Sequence, residues 1–288
     1  MSFLLGIILL AVVTAVACAI PGTFIVLRKN AMLVDGISHS VLPGIVMGYL
    51  LTSDLNSPLL IVGAALAGLL VVVGSEWLER TGLLTGDAPQ GLIFPALFSL
   101  GVIMITLNFA NVHLDTHAVL VGDLNLAAWD QLVVAGVSVG PKYLYVMLGM
   151  LLVNIAFVTA LYPRLKITTF DARFARSVGI RSGWVNTAFM LLVSLTVTAA
   201  FHAAGAILVI ALMIVPPAAA YLLSRTLPMM LALTVVIAIV GALAGFWIAY
   251  ALDAPTSSAM AVCYGVVFVL ALLATMQHRR RRQASLAT

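Results

Sequence analysis

The chain alternates long apolar runs with short polar interruptions. No charged residue precedes Arg28, and none lies between Asp54 and Glu76 or between Asp87 and Asp115. The same holds from Lys142 to Arg164, from Arg181 to Arg225 and from Asp253 to Arg279. A bilayer core is about 30 Å thick, and a helix crosses it with about 20 apolar residues. The gaps have that length and predict nine spans: 4–27, 32–51, 58–76, 91–109, 142–162, 184–201, 205–223, 229–251 and 257–276. Backbone groups in lipid must bond within their own segment, so the spans are helices. The expected fold is all-α, a polytopic integral membrane protein of eight or nine transmembrane helices. The count turns on 184–201 and 205–223, joined only by His202-Ala203-Ala204. That junction reads as a tight hairpin or as one helix broken at Gly205.

Composition sharpens the exclusion. Of 288 residues, 63% are hydrophobic and 8% charged, where soluble domains carry about 25% charged residues. A soluble enzyme is excluded. Cys18 and Cys263 both sit in apolar runs and imply neither a disulfide framework nor a thiolate site. The first 27 residues lack the basic start of a signal peptide and read as a retained helix. There is no GxxxxGK[ST] run and no GxGxxG after a strand, so nucleotide energy must come from another subunit. The longest outer segment, 110–141, is too short for a domain and is expected to hold a partial helix over 117–135. Residues 1–288 therefore read as one transmembrane domain.

Charge decides orientation. Alternating connections place 28–31, 77–90, 163–183, 224–228 and the basic tail 277–288 on one side. That side holds 13 of the 14 Lys and Arg residues, with Lys142 alone opposite. Positive loops stay inside, so this side and the C-terminus are expected in the cytoplasm and the N-terminus outside. The net charge of +4 is then topology, and no nucleic-acid partner is implied.

Few residues near the membrane can carry chemistry, and ionisable groups there mark pathways. Asp35 and His39 lie at i and i+4, on one helical face. Their oxygen and nitrogen make half of a site suited to Mn, Fe or Zn ions. Two copies across a dimer axis would supply two Asp and two His. Pro43 and Gly44 loosen the helix beyond the pair, and Gly36 and Gly48 permit close helix approach. The competing reading makes Asp35 a first-turn acid near Arg28 and Lys29, with His39 its local partner.

In the outer loop, His113, Asp115 and His117 read as a metal entrance if helical, or as a plain polar loop. His202 reads as a turn histidine or a ligand. Glu76, Glu79 and Arg80 read as a solvated helix end. On the basic side, Asp171 suits a helix N-terminus, 172–178 a short helix and Gly179 its stop. Phe174 and Val178 share a face of that helix, while Arg173 and Arg176 point elsewhere. Such a helix lies on the membrane or docks into a partner.

Four stretches resemble one family. They are Ala31-Met-Leu-Val-Asp-Gly-Ile-Ser-His-Ser-Val-Leu-Pro-Gly44, Val119-Leu-Val-Gly-Asp-Leu124, Asp171-Ala-Arg-Phe-Ala-Arg-Ser-Val-Gly-Ile180 and the span from Gly205 to Ala220 with its Pro216-Pro217. In order and together they resemble the permease subunits of bacterial ABC importers for manganese, zinc and iron. The resemblance implies a permease of the cobalamin and metal-chelate (type II) class in the bacterial cytoplasmic membrane. It implies a non-catalytic subunit with no permanent cofactor, whose cargo is a divalent metal ion. Implied partners are ABC ATPase subunits, an extracytoplasmic metal-binding protein, membrane lipid and a second permease subunit, identical or not.

The resemblance also implies that Asp35 and His39 form the transient metal site. The coupling role within 163–183 falls on Asp171, Arg173, Phe174, Ala175, Arg176 and Gly179, with Phe174 and Ala175 packing into the ATPase. Two positions depart from the family pattern: Pro217, where a small residue is usual, and His202, where an uncharged polar residue is. The nine-span reading also sets Asp35 near the cytoplasmic end of its span. The rival reading is a secondary transporter or channel, in which Asp35 and His39 relay protons or bind a co-ion.

Overall fold

The computed structural model describes residues 3–53, 57–84, 86–108, 124–134, 137–179 and 182–287. Its long helices are α1 (Phe3–Leu27), α2 (Ala31–Thr52), α3 (Pro58–Arg80), α4 (Ala88–Asn108), α6 (Lys142–Phe170), α8 (Ser182–Leu223), α9 (Leu227–Leu252) and α10 (Thr256–Ala287). Short helices α5 (Leu124–Trp129) and α7 (Ala172–Ser177) sit at opposite ends of the bundle. Strands β1 (Gln131–Val134) and β2 (Val137–Pro141) pair antiparallel. Among the described residues, eight helices are long and apolar enough to cross a membrane.

The uniformly apolar α1 is the centre of the bundle. A helix hydrophobic all round belongs in an interior, and Leu10, Ala15, Ala17, Cys18, Phe24 and Ile25 are fully buried. It packs against α8, α6, α9 and α5. Gly22 is what lets α8 come close: a Cβ there would run into the carbonyl oxygen of Met213. On the other side of the molecule, α2 meets α3 backbone to backbone at Gly44 and Gly63, where either Cβ would strike the other glycine's carbonyl.

The 42-residue α8 is not straight. Gly205 has φ 78° and ψ 165°, outside helical values. Phe189 packs edge-on against Phe24, with ring centroids 5.9 Å apart, and Met213 meets Gly22 only two residues away. A continuous helix rises about 1.5 Å per residue and would hold Phe189 and Met213 about 36 Å apart. The chain therefore turns back at Gly205, and 182–204 and 206–223 run side by side. Phe201 and Ala206, flanking the turn, pack together with Val41 and Ala64. Among the described residues, the eight long helices thus supply nine apolar segments, and the turn falls at Gly205, with 202–204 still helical.

Three boundaries differ from expectation. Among the described residues, the outer segment is helical over 124–129 and then forms the β1–β2 pair, rather than a helix to 135; the expected helix before 124 lies outside the described residues. The β-branched pattern of Gln131-Leu-Val-Val134 and Val137-Ser-Val139 favours strands. Next, α6 continues through Pro163 to Phe170 instead of stopping at 162. Finally, α10 runs on through Arg279–Arg282. At about 1.5 Å per residue it is about 48 Å long, so its last turns pass beyond a core of about 30 Å.

Polar side chains inside the bundle tie helices together. Asn154 of α6 donates to the carbonyl of Ala17 at 2.9 Å and accepts from the Thr196 hydroxyl at 3.2 Å. Thr23 lies 3.4 Å from Thr234 of α9, hydroxyl to hydroxyl. The Tyr264 hydroxyl of α10 donates to Ala238 of α9 at 2.5 Å. Because Asn154 joins three passes, Asn154→Ala is expected to cost about 1–2 kcal/mol. The check is a lower thermal midpoint of the purified protein in detergent, with the exposed Leu107→Ala near the end of α4 as an unaffected control.

Candidate functional site

Asp35 and His39 are the fifth and ninth of the 22 residues of α2. Asp35 thus lies in the third nearest Arg28, and His39 reaches toward the middle. His39 Nε2 stands 3.4 Å from Asp35 Oδ1, and each side chain keeps about 31% of its surface exposed. The helix explains that exposure. Leu33, Val34, Ile37, Ser38, Ser40 and Val41 are buried, so the opposite face carries Met32, Asp35, His39 and Met47. Met32 and Met47 are open at 38% and 50%. The ring of His39 stacks on Phe94 of α4 with centroids 5.7 Å apart and meets Phe98 edge-on at 5.8 Å.

The pair offers one carboxylate and one imidazole on a half-open face. No group of three or more His, Cys, Asp or Glu residues capable of holding a metal occurs among the described residues. A divalent ion prefers four or more donors, so one chain supplies part of a coordination shell. The loop residues His113, Asp115 and His117 lie outside the described residues. His202 stacks on Tyr143, centroids 4.6 Å apart and planes 12° from parallel.

At the Arg28 end of the bundle, the predicted short helix is present as α7. Asp171 caps it, accepting from the N–H of Arg173 at 3.1 Å and of Phe174 at 2.8 Å. Gly179 follows at φ 80°, a left-handed conformation that glycine adopts without a Cβ clash. Phe174 and Val178 are 54% and 58% exposed on the shared face read from the sequence. Arg173 is exposed, and Arg176 falls on the same helix.

Ala175 is completely buried within the chain, where its small side chain lets α7 lie on its neighbours α6 and α8, while Phe174 is exposed. Two exposed aromatics flank this helix and were not singled out in the sequence: Phe170 and Trp184, each 61% exposed. A large aromatic just outside an apolar span, next to a capping acid, is the signal that would have found them.

Behind α7, Arg28 forms a junction. Its Nη1 donates to Asn186 Oδ1 at 2.8 Å, its Nε to Thr169 at 3.1 Å and its Nη2 to Thr168 at 3.4 Å. The guanidinium lies 4.7 Å from the Phe189 ring centre. The Asn186 amide nitrogen donates in turn to Glu76 of α3. Burial lowers the Arg28 pKa from 12.5 to about 10, which leaves it charged near neutral pH. Arg28 thus joins α1, the end of α6, the start of α8 and, through Asn186, α3. Thr168, Thr169 and Asn186 bracket α7 in sequence. From sequence, Arg28 had been only a marker of sidedness.

Residues 1–275 match the sequence profile described as the ABC 3 transport family. The chain is 44% identical over 273 residues to the "Zinc transport system membrane protein TroD" of Treponema pallidum (strain Nichols), covering 94% of this chain and 74% of that protein. It is 40% identical over 273 residues to the "Manganese transport system membrane protein MntD" of Bacillus subtilis (strain 168), covering 95% and 92%. The fold resembles a chain of PsaBC from Streptococcus pneumoniae in complex with Fab, with a TM-score of 0.77, 24% identity and coverage of 94% and 91%.

Hydrogen bonds to a charged group contribute about 1.5–3 kcal/mol. Arg28→Met, which keeps the stem and removes the donors, is therefore expected to destabilise the protein by about 2 kcal/mol. Thermal melting in detergent checks this, with the exposed Arg164→Ala expected to melt as wild type.

Proposed function

The chain belongs to the ABC 3 transport family, and we propose that it is the permease subunit of an ATP-driven importer of a divalent transition-metal ion. The whole chain acts as one permease domain, with 163–183 as its coupling segment and 277–288 as a basic tail. Zinc and manganese, the cargoes in the names of two relatives, both accept oxygen and nitrogen ligands, as does iron. The observation that carries the proposal is the Asp35–His39 pair, half-open and 3.4 Å apart on an otherwise apolar helix. With two ligands per chain, a second permease, identical or homologous, completes the shell. The secondary-transporter or channel reading is not favoured, because the family is one of ABC transporters.

The proposed cycle follows from the chemistry. A metal-binding protein docks on the outer side, with His113, Asp115 and His117 at the entrance, and releases its ion. Asp35 and His39 replace part of the water shell, since a bare divalent ion in hydrocarbon is prohibitively unstable. Two ligands per subunit hold it weakly enough to let it leave. ATPase subunits below engage the exposed face of α7. Phe174 and Val178 enter the partner, Arg173 and Arg176 flank the contact, and Asp171 and Gly179 set the ends of the helix. ATPase closure then moves α7 together with α6 and α8. The basic end of the bundle faces the cytoplasm, which puts the C-terminus inside and the N-terminus outside the cytoplasmic membrane.

Two measurements test this. In a strain lacking its own metal importers, Asp35→Ala is expected to abolish manganese and zinc accumulation while the importer still assembles. Normal accumulation would overturn the metal site. Phe174→Asp is expected to lose co-purification of the ATPase, and unchanged co-purification would overturn the docking role of α7.

A further inference from the structure

We propose that Phe94 and Phe98 are positioning residues for transport: they fix the ring of His39 so that its Nε2 and the Asp35 carboxylate converge on the ion. This rests on Asp35 and His39 being the ligands. The two phenylalanines lie at i and i+4 on α4, so one helical face presents both. Phe94 covers one face of the imidazole, with planes 23° apart, and Phe98 meets it at 82°. Offset stacking and edge-on contact are the favoured aromatic geometries. Together they leave the His39 ring little freedom about its side-chain torsions. The edge carrying Nε2 remains toward Asp35, 3.4 Å away.

The rest of α4 makes this contact specific. It is the least buried of the long helices, with 11% of its best apolar window inside the protein. Leu92, Leu100, Ile103 and Leu107 are all exposed, as expected of side chains turned to lipid. Phe94 and Phe98 are instead half-buried, and both rings meet His39 on α2.

Two glycines bracket the contact. A Cβ at Gly36 would lie 3.2 Å from Val71 Cγ1 and 3.5 Å from Phe94 Cβ. A Cβ at Gly101 would stand 3.0 Å from three atoms of Pro43. One close approach lies below His39 and the other above it. Between them α4 is held near enough to α2 for both rings to reach the imidazole.

A ring that only fills space would matter to stability; a ring that orients a ligand matters to transport per ATP hydrolysed. The complete importer, with its ATPase and binding protein, is reconstituted in proteoliposomes. Manganese ions transported per ATP hydrolysed are measured, a ratio that a misfolded fraction does not change. Groups that orient a metal-binding histidine typically alter metal handling by 10–100-fold, so Phe94→Leu is expected to lower the ratio about tenfold. Phe94→Tyr, which keeps a ring, is expected to stay within about twofold of wild type. Gly101→Ala, which keeps both ring side chains but pushes α4 away from Pro43 and so from His39, is expected to lower the ratio as well. His39→Ala is the reference for a lost ligand.

If Phe94→Leu and Phe98→Leu keep the wild-type ratio while His39→Ala loses it, the positioning role is overturned and the ligand reading stands. If His39→Ala also keeps the ratio, the ligand reading fails and the positioning role with it.

Discussion

The close approach of α1 to the two arms of the broken helix is the constraint on which the architecture depends. In a bilayer there is no hydrophobic gain from bringing two apolar helices together, so association rests on close packing and on a few hydrogen bonds. Gly22 removes the one atom that would hold Met213 away, and Phe24 meets Phe189 beside it. Asn154 then locks α1 to α6 and α8 at a single level. With α1 enclosed, its neighbours are held by an interior that has almost no charge, and the remaining ionisable groups fall on surfaces where they can act.

Two such surfaces matter, and they are linked through the same frame. Asp35 and His39 lie on α2, which is fastened to α3 by the Gly44–Gly63 contact. Arg28 stands at the other end of the short connection into α2 and grips Thr168, Thr169 and Asn186. Those residues flank the helix proposed to meet the ATPase. From Asn186 the chain of contacts passes to Glu76 on α3. A displacement of α7 therefore has a short, hydrogen-bonded route toward the helix pair that carries the proposed metal ligands. Arg28 keeps its charge there despite burial because the hydroxyls and the amide oxygen replace much of its hydration.

How far the site was legible depended on which kind of residue was involved. The Asp35–His39 pair was readable because a carboxylate and an imidazole four residues apart are conspicuous in an apolar run. The cap at Asp171 and the stop at Gly179 were readable because both act within a few residues of themselves. The burial of Ala175 was not readable, because exposure in a short helix depends on what lies beneath it, and here α6 and α8 do. Phe94 and Phe98 carried no signal at all in a span where most large side chains turn to lipid.

The sequence by itself determined the class of structure. A chain with 8% charge whose apolar runs reach about 20 residues crosses lipid as helices, each of which satisfies its own backbone there, and the basic loops fall unevenly between the two ends. It also determined the local signals, since helix caps and i, i+4 pairs need no distant partner. Only the tertiary structure decided that α8 folds back at Gly205, that α6 runs on to Phe170, and that Arg28 joins four helices. The same is true of the two rings against His39. Each of these depends on contacts between residues far apart in the chain, where hydropathy is uniform and carries no record of which apolar side chain meets which.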